Sequence, residues 1–316
     1  MTDRWGLSIP LEDRSMEDLP QMAKGLFAMG YTDFWTSESD YSDGLTPLAA
    51  VAAHVPDAQL GVAILPVQTR GPALLAMSVA AVASLAPGRL SVGLGASSPT
   101  IVTSWNDRDF SRPLTHVREM IEFLQIAFSG ERVDREFSTF AVSGFRLRNV
   151  PTQRPKLLVG ALRPQMLALA ATVDGAITNW LSAEDVTQVR GMLGNDVDLI
   201  ARIMVCPSED ADSVRSHGRR LIAAYLNVPA YRAFQTWLGR GSALQGMWDA
   251  WESGDRHGAL EAIPEEIVDA LIVHGSPEQC KQQILRYRDH GVSVPVAYLL
   301  PFELDLARAA RDLAAH

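Results

Sequence analysis

The stretch LSVGLGASSPTIVTSW, residues Leu90–Trp105, decides between the two parallel-sheet folds that the rest of the chain allows. Its apolar run ends on two closely spaced glycines, Gly93 and Gly95, and then continues into small polar residues. The dinucleotide fingerprint of an open, doubly wound sheet requires a further glycine or alanine three positions after the second glycine. This chain has Ser98 there, so the stretch disfavours the open sheet.

Short β-rich runs alternate with Ala- and Leu-rich helical patterns, and this alternation is typical of βαβ units on a parallel sheet. Eight such units close into a barrel. The candidate strands are Arg4–Ile9, Thr32–Thr36, Gln59–Leu65, Arg89–Leu94, Lys156–Gly160, Gly175–Asn179, Asp198–Cys206 and Ser293–Leu299. The sequence therefore predicts an α/β protein, a single (β/α)8 TIM-barrel domain over residues 1–316.

Two segments interrupt the alternation. ERVDREFSTFAVSGFRLRNV follows a predicted helix at about 114–129, and its alternating apolar residues predict a hairpin between the fourth and fifth strands. Residues of about 207–264 form a predicted helical insertion between the seventh and eighth strands. Its aromatic side chains either pack helices together or belong to a lid over the barrel. They are Tyr225, Tyr231, Phe234, Trp237, Trp248 and Trp251.

Charge and composition disfavour two classes of partner. The net charge is −9, with 28 Lys and Arg against 37 Asp and Glu, whereas nonspecific nucleic-acid affinity depends on basic side chains. The longest apolar segments fall well short of the roughly 20 residues that cross a bilayer, and the first ten residues contain no apolar signal core. We therefore expect a cytoplasmic protein that binds neither nucleic acid nor membrane.

The chain lacks the motifs of common metal and nucleophile sites. Its seven histidines form no HxH or HExxH pair. No GxSxG elbow or Walker loop occurs, and Cys206 and Cys280 form no CxxC pair. We therefore expect no metal site. The reactivity would come from an organic cofactor, and the protein would bind a small-molecule substrate.

The carboxyl ends of barrel strands face the active site. Here these ends are mostly small, apolar or aromatic, which suits a flat ring system. After the fifth strand, Gly160-Ala161-Leu162-Arg163 leads to Pro164 at a predicted first helical position, where exposed N–H groups attract an anion. An ordinary helix start explains that spacing equally well. Trp35, Asn179 and Trp180 are candidates for the substrate wall, with barrel core as their alternative role.

Five segments resemble the bacterial luciferase-like monooxygenase superfamily and, within it, the branch that uses the deazaflavin coenzyme F420. They follow the family's order and cover most of the chain, and the helical insertion matches poorly. The segments are FWTSESDYSDGLTPLAAVA (Phe34–Ala52), LGVAILPVQTRGPALLAM (Leu60–Met77), LAPGRLSVGLGASSPTIVTSWNDRDFSRPLTHVREMIEFL (Leu85–Leu124), PKLLVGALRPQMLALAATVDGAITNW (Pro155–Trp180) and GSPEQCKQQILRYRDHGVSVPV (Gly275–Val296).

The resemblance implies an oxidoreductase that transfers a hydride between coenzyme F420 and a small organic substrate. Relatives that bind flavin mononucleotide (FMN) share the barrel, so an FMN-dependent monooxygenase is an alternative. A non-catalytic cofactor-binding or assembly protein is a second alternative, because some deazaflavin reductases have a catalytic Glu where this chain has Ala96.

The resemblance also implies cofactor contacts. A non-proline cis peptide, which supports the central ring in the family, would fall at Ala63-Ile64. The family's short acidic stretch after strand two touches the ring or its side chain and is Asp-His in many relatives; the matching residues here are Ser37 and Glu38. The pyrimidine end of the ring would lie near Gly95, Ala96 and Ser97, and the side-chain phosphate near Gly160, Ala161, Leu162 and Arg163. The candidate catalytic residues are Glu38, Asn179 and Trp180.

Barrels of this family often pair through the helices beside strands two and three. The apolar faces of Pro47–Ala53 and Ala73–Ala83 would form such a surface here. We therefore expect a homodimer.

Overall fold

The computed structural model describes residues 4–315, and a closed barrel of eight parallel strands lies at its centre. In chain order the strands are β1 (Gly6–Ser8), β2 (Asp33–Thr36), β3 (Gln59–Pro66), β4 (Leu90–Gly95), β5 (Arg132–Glu136), β6 (Ala141–Arg146), β7 (Lys156–Gly160), β8 (Gly175–Asn179), β9 (Asp198–Cys206), β10 (Ile272–His274) and β11 (Val294–Leu299). Around the barrel the order is β1, β2, β3, β4, β7, β8, β9 and β11, and the pairing of β11 with β1 closes it. The predicted fold is confirmed, and each predicted strand agrees with a barrel strand to within two residues at either end.

Helices pack around the barrel, and several begin with proline in the first turn, where the missing N–H costs no intrahelical hydrogen bond. Pro164 begins α5, as predicted. No helix within the described residues has both the length and the apolar character to cross a membrane. The α-helices are α1 (Leu19–Ala28), α2 (Thr46–His54), α3 (Pro72–Leu85), α4 (Pro113–Phe128), α5 (Pro164–Ala170), α6 (Asp185–Leu193), α7 (Ala211–Leu226), α8 (Pro229–Trp237), α9 (Gly241–Glu252), α10 (Arg256–Glu261), α11 (Glu265–Leu271), α12 (Pro277–Asp289) and α13 (Leu306–Asp312). A short π-helix, Thr100–Trp105, lies between β4 and α4.

The barrel interior is filled by alternate residues of its strands, because successive side chains of a strand point to opposite faces. The largest interior side chain, Trp35, fits because Gly61 faces it: a Cβ on Gly61 would lie 2.3 Å from the indole ring. Trp35 is therefore barrel core, one of the two roles allowed by the sequence. The interior cluster consists of Trp35, Leu158, Ile177, Ile200, Val294 and Val296.

The predicted helical insertion is confirmed, and the structure extends it beyond residue 264 through α11 into β10. Strand β10 pairs with the second half of β9, beyond the residues that β8 pairs with. The insertion has its own apolar cluster, which includes the buried Trp248 but not Phe234. It therefore continues the barrel wall on the side of β8 and β9.

The predicted hairpin is also confirmed, as the antiparallel pair β5 and β6. Its tip is fixed to α4 by one carboxylate: Glu119 accepts hydrogen bonds from the backbone N–H groups of Ser138 at 3.1 Å and Thr139 at 2.9 Å. The hydroxyl groups of the same two residues also donate to Glu119. The ionised form of Glu119 therefore contributes to holding the hairpin tip against α4.

We expect this connection to weaken in acid. Burial raises the pKa of Glu119, but the hydrogen bonds from Ser138 and Thr139 outweigh it and lower the pKa to about 2 from 4.5. A carboxylate with a lowered folded-state pKa stabilises the fold above its unfolded pKa, and this contribution is lost as the pH falls through the folded pKa. After allowance for solvent screening, we expect the ionised Glu119 to contribute about 1 kcal/mol to the free energy of unfolding.

Urea unfolding of the wild type and Glu119→Gln measures this contribution. The variant should be less stable by about 1 kcal/mol at pH 7, and the difference should fall progressively between pH 4.5 and pH 2. Glu122→Gln is the matched control, since Glu122 lies on the same helix and forms an exposed ion pair with Arg135. A difference for Glu119→Gln that does not change with pH would contradict the assignment.

The face of α3 directed away from the barrel carries exposed apolar side chains. Leu74, Met77 and Leu85 are 52%, 49% and 50% exposed, and their spacing places them along one side of the helix. This face overlaps the segment predicted to pair two copies. The homodimer stays a prediction.

Candidate active site

The carboxyl ends of the barrel strands surround an opening, here called the mouth. Strand β3 contains a bulge there: three steps from Val62 to Leu65 pair with only two steps of β4, from Val92 to Leu94. The Ala63-Ile64 peptide within this bulge is cis, as the resemblance implies. Both residues are half-buried and contact the interior cluster. The bulge therefore brings Ile64 to the inner side of the mouth.

Three glycines from two other strands leave room for the Ile64 side chain. A Cβ on Gly95 would lie 2.7 Å from Cδ1 of Ile64, and one on Gly160 would lie 2.9 Å from its Cγ2. A Cβ on Gly93 would lie 3.1 Å from the same Cγ2 atom. Gly93 and Gly95, which end the apolar run of β4, thus accommodate an isoleucine from the neighbouring strand β3. Ile64 and these glycines form an apolar floor to the mouth.

Two non-glycine residues adopt left-handed backbone conformations directly after barrel strands. Ser97 follows β4 closely with φ of 61°, and Trp180 follows β8 with φ of 54°. Such conformations are uncommon for non-glycine residues and cluster at ligand sites, where the surroundings impose them. Ala96 and Ser97 are half-buried at the rim of the floor. The structure thus places Gly95 and Gly160 against Ile64, with Ala96 and Ser97 following Gly95 at the rim. The cofactor contacts that the resemblance implies for these residues stay a prediction.

Glu38 connects the loop after β2 to the loop after β3. Its Oε2 forms an ion pair with Arg70 and accepts a hydrogen bond from the backbone N–H of Gly44 at 3.1 Å. Its Oε1 lies 3.5 Å from the Thr69 hydroxyl, and Ser37 is half-buried beside it. These contacts hold the carboxylate in one position. The catalytic role assigned to Glu38 stays a prediction, and its partner Arg70 was not predicted from the sequence.

The segment that leads from β7 into α5 offers fewer free donors than the sequence suggested. The backbone N–H of Ala161 donates to the carbonyl of Ile177 at 2.9 Å, so it is already used. Leu162 is half-buried, and the Arg163 side chain is exposed without a hydrogen bond or ion pair to other described residues. The phosphate-binding role of this segment stays a prediction, and Arg163 would be its charged residue.

A second polar site lies at the rim beside β3. Gln68 is 6% exposed, and both polar atoms of its amide lack hydrogen-bond partners within the described chain. A buried amide without hydrogen-bond partners is unfavourable, so we expect a ligand or a water molecule to form hydrogen bonds with it. The cavity measures about 140 Å³ and is lined by Gln68, Arg108, Asp109, Ser111, Arg112, His116 and Thr139.

Among residues 4–315, no group of three His, Cys, Asp or Glu side chains could hold a metal ion.

The side of the mouth opposite β3 is polar and aromatic. Asn179, a predicted site residue, donates through Nδ2 to the hydroxyl of Tyr231 in the insertion at 3.2 Å. Arg202 on β9 pairs in register with Asn179, and its guanidinium carbon lies 3.7 Å from the ring centroid of Tyr298. The insertion therefore contributes Tyr231 to the mouth, besides packing its own helices together.

Trp180, the other predicted wall residue, has a different environment. Its side chain is 1% exposed and belongs to the apolar cluster of the insertion. Its ring centroid lies 5.4 Å from that of Tyr225, and its backbone carbonyl accepts a hydrogen bond from Gln235 at 2.6 Å. Trp180 thus packs the insertion against β8 and does not line open space at the mouth.

Sequence reasoning missed Arg202 and Tyr298. The signal was present in DLIARIMVC, where a single arginine interrupts an apolar strand. Because side chains alternate along a strand, Arg202 lies on the same face as Ile200, which is inside the barrel. Arg202 is level with Asn179, the last residue of β8, so a charged residue on the interior face at this height indicates a candidate site residue.

Comparisons with known proteins identify the family from the sequence and show the same fold in solved structures. The family model for luciferase-like monooxygenases matches residues 6–293. A Mycobacterium tuberculosis protein named as a coenzyme F420-dependent oxidoreductase is 23% identical over 322 residues, covering 90% of each chain. The coenzyme F420-dependent tetrahydromethanopterin reductase of Methanopyrus kandleri has a similar fold, with a TM-score of 0.79 at 17% identity, covering 99% of this chain and 97% of that one. A type II Baeyer-Villiger monooxygenase of Pseudomonas putida, solved with FMN, has a TM-score of 0.64 at 14% identity, covering 99% and 96%.

Proposed function

The chain belongs to the luciferase-like monooxygenase family, and from this premise we propose that it is an oxidoreductase that transfers a hydride between coenzyme F420 and a small organic substrate. The observation that carries the proposal is the apolar floor, in which a bulged isoleucine rests on glycines of two other strands. The F420-dependent names of the M. tuberculosis and M. kandleri proteins support the choice of cofactor.

The residues of the mouth fit a flat ring with an acidic side chain. A planar ring needs an apolar surface without protruding side chains, and glycines at the ends of β4 and β7 provide it around Ile64. Ala96 and Ser97 would lie at the ring's edge. The acidic side chain has two candidate sites, Arg163 before α5 and the cavity lined by Gln68 and Arg112.

When bound, the deazaflavin supplies a ring carbon that donates or accepts a hydride. The chain's own contribution is to hold the substrate carbon within about 3–3.5 Å of that atom and to exclude water. Burial raises the pKa of Tyr231, so its hydroxyl keeps its proton at neutral pH while it accepts the hydrogen bond from Asn179. That hydroxyl can donate to a substrate oxygen. Glu38, held by Arg70, would fix the loop beside the ring.

A cofactor titration tests the proposal. We expect the purified protein to bind coenzyme F420 at least about tenfold more tightly than FMN, a difference of about 1.4 kcal/mol. Fluorescence titrations with each cofactor measure both affinities under identical conditions. Tighter binding of FMN would overturn the assignment of the cofactor.

Two alternatives have support in specific observations. An FMN-dependent monooxygenase is favoured by the similar fold of the P. putida enzyme, and it predicts oxygen consumption with reduced FMN. A non-catalytic cofactor-binding protein is favoured by Ala96 and by the commitment of Glu38 to Arg70 and Gly44. It predicts tight binding of coenzyme F420 without hydride transfer to any acceptor in a broad panel.

A further inference from the structure

Arg202 is a positively charged side chain at the mouth that has no carboxylate partner. It lies on β9 and pairs in register with Asn179 of β8 and Val296 of β11. Its Nε is buried without a hydrogen-bond partner, and Arg202 forms no ion pair with any residue between 4 and 315. Charged groups in protein interiors are normally paired, so Arg202 requires an explanation.

The neighbouring aromatic ring explains only part of this arrangement. The guanidinium lies 3.7 Å from the ring centroid of Tyr298, which favours the cation. Stacking leaves the guanidinium N–H donors unused, because they point outward in its plane. The hydroxyl of Tyr298 donates to Glu12 at 2.6 Å, and the Glu12 carboxylate makes no ion pair with Arg202. The guanidinium is therefore oriented by a ring and retains donors for a further group.

We propose that Arg202 binds a carboxylate of the substrate, so that the enzyme acts on a small organic acid. This inference rests on the proposed function and names the substrate class of the same mouth. A planar guanidinium matches a carboxylate through two parallel hydrogen bonds. One unpaired cation balances a monoanion, whereas a phosphate dianion would require a second positive charge.

The rest of the substrate would contact aromatic side chains. Tyr298 lies against Arg202, and Tyr231 is hydrogen-bonded to Asn179 on the adjoining strand. Tyr225 lies beside Tyr231, with ring centroids 6.2 Å apart, and is 41% exposed. Such a wall favours an apolar or aromatic body attached to the carboxylate.

The position of Arg202 separates it from the sites expected for the cofactor's acidic groups. In the barrel, β4, β7 and β8 lie between β3 and β9 on one side, and β2, β1 and β11 lie between them on the other. Arg202 is therefore across the mouth from Ile64 and from the cavity lined by Gln68. Arg163 follows β7, two strands away from β9. A ring on the floor would lie between its own acidic side chain and Arg202.

Binding of benzoate and benzamide to the cofactor-free protein tests the inference. The two probes have similar shape, but only benzoate carries the charge. Isothermal titration calorimetry should show that Arg202→Met weakens benzoate binding by at least about tenfold, the scale of a hydrogen bond to a charged group. Arg202→Lys should have an intermediate effect, because it keeps the charge and loses the planar pair of donors. Benzamide binding should not respond to either substitution.

Arg256→Met is the matched control, since Arg256 also stacks on an aromatic ring, 3.8 Å from the centroid of Trp251, but lies exposed on the insertion. It should leave benzoate binding unchanged. Thermal unfolding checks the fold of each variant, and Arg202→Met should be no less stable than the wild type, because it removes an unpaired charge from a partly buried position. Arg202→Lys keeps the inference testable if the methionine variant unfolds.

Several outcomes would overturn the inference. Equal benzoate affinity in the wild type and Arg202→Met would leave Arg202 without a role in binding acids. Tighter binding of phenyl phosphate than of benzoate would show that Arg202 recognises a phosphate and not a carboxylate. If Arg202→Met binds coenzyme F420 more weakly than the wild type but binds benzoate equally well, Arg202 would belong to the cofactor site. If the wild type binds no F420 while benzoate binding still depends on Arg202, the proposed function fails and the acid site stands.

Discussion

Gly95→Ala is expected to weaken cofactor binding by about 10- to 100-fold while the barrel still folds, because overpacking typically costs about 1–3 kcal/mol. The new Cβ would lie 2.7 Å from Cδ1 and 3.2 Å from Cγ1 of Ile64. The Ile64 side chain must therefore move, and the space open to it is the mouth, where the ring would bind. Fluorescence titration with coenzyme F420 measures the loss, and circular dichroism verifies the fold.

A compensating substitution makes this result specific. Ile64→Val removes Cδ1, the atom closest to the added Cβ, so the double variant Gly95→Ala/Ile64→Val should regain most of the affinity. Gly25→Ala in α1 is the control, since a Cβ there would have no neighbour within 4 Å. Wild-type affinity in Gly95→Ala alone would show that the floor does not limit the ring.

Gly175→Ala is expected to cause the largest loss of stability, about 3–5 kcal/mol of unfolding free energy, as for severe backbone conflicts. Gly175 has φ of 145°, a conformation that L side chains rarely adopt. A Cβ would also lie 2.1 Å from the carbonyl oxygen of Asp198 and 2.9 Å from its nitrogen. These backbone atoms belong to β9, which pairs with β8 at this position, so they can move only if the barrel opens.

Urea unfolding of Gly175→Ala measures the effect, with the yield of soluble protein as a second readout. Gly191→Ala is the matched control, since Gly191 lies within α6 and a Cβ there would meet no atom within 4 Å. Alanine is the better helix former, so that variant should be as stable as the wild type or more stable by up to about 1 kcal/mol. Equal urea midpoints for the two variants would contradict the proposed conflict at the seam between β8 and β9.

The fold was predictable because its signals are local. Strand β9 contains nine residues with few polar side chains, and α5 begins at the proline that the sequence placed there. The hairpin β5–β6 followed from simple alternation of apolar residues. Each of these patterns depends on neighbours in the chain, so the backbone period and turn chemistry were sufficient.

The site was only partly predictable. The bulge at Ala63-Ile64 and the small residues after β4 followed from the family resemblance. Trp180, in contrast, packs under the insertion because its environment is set by Met204 and Trp248, which belong to different elements. The partner of Glu38 was missed for the same reason, since Arg70 lies on the next loop of the barrel.

The sequence by itself determined the number and order of the barrel strands, the hairpin, the insertion and the small residues at the strand ends, because these depend on periodicity along the chain. Only the tertiary structure decided what those residues do. Gly95 and Gly160 make room for a side chain from β3, and Arg202 is distinguished by the partners it lacks. A missing partner is a property of everything that surrounds a side chain, and those surroundings exist only after the eight strands have closed.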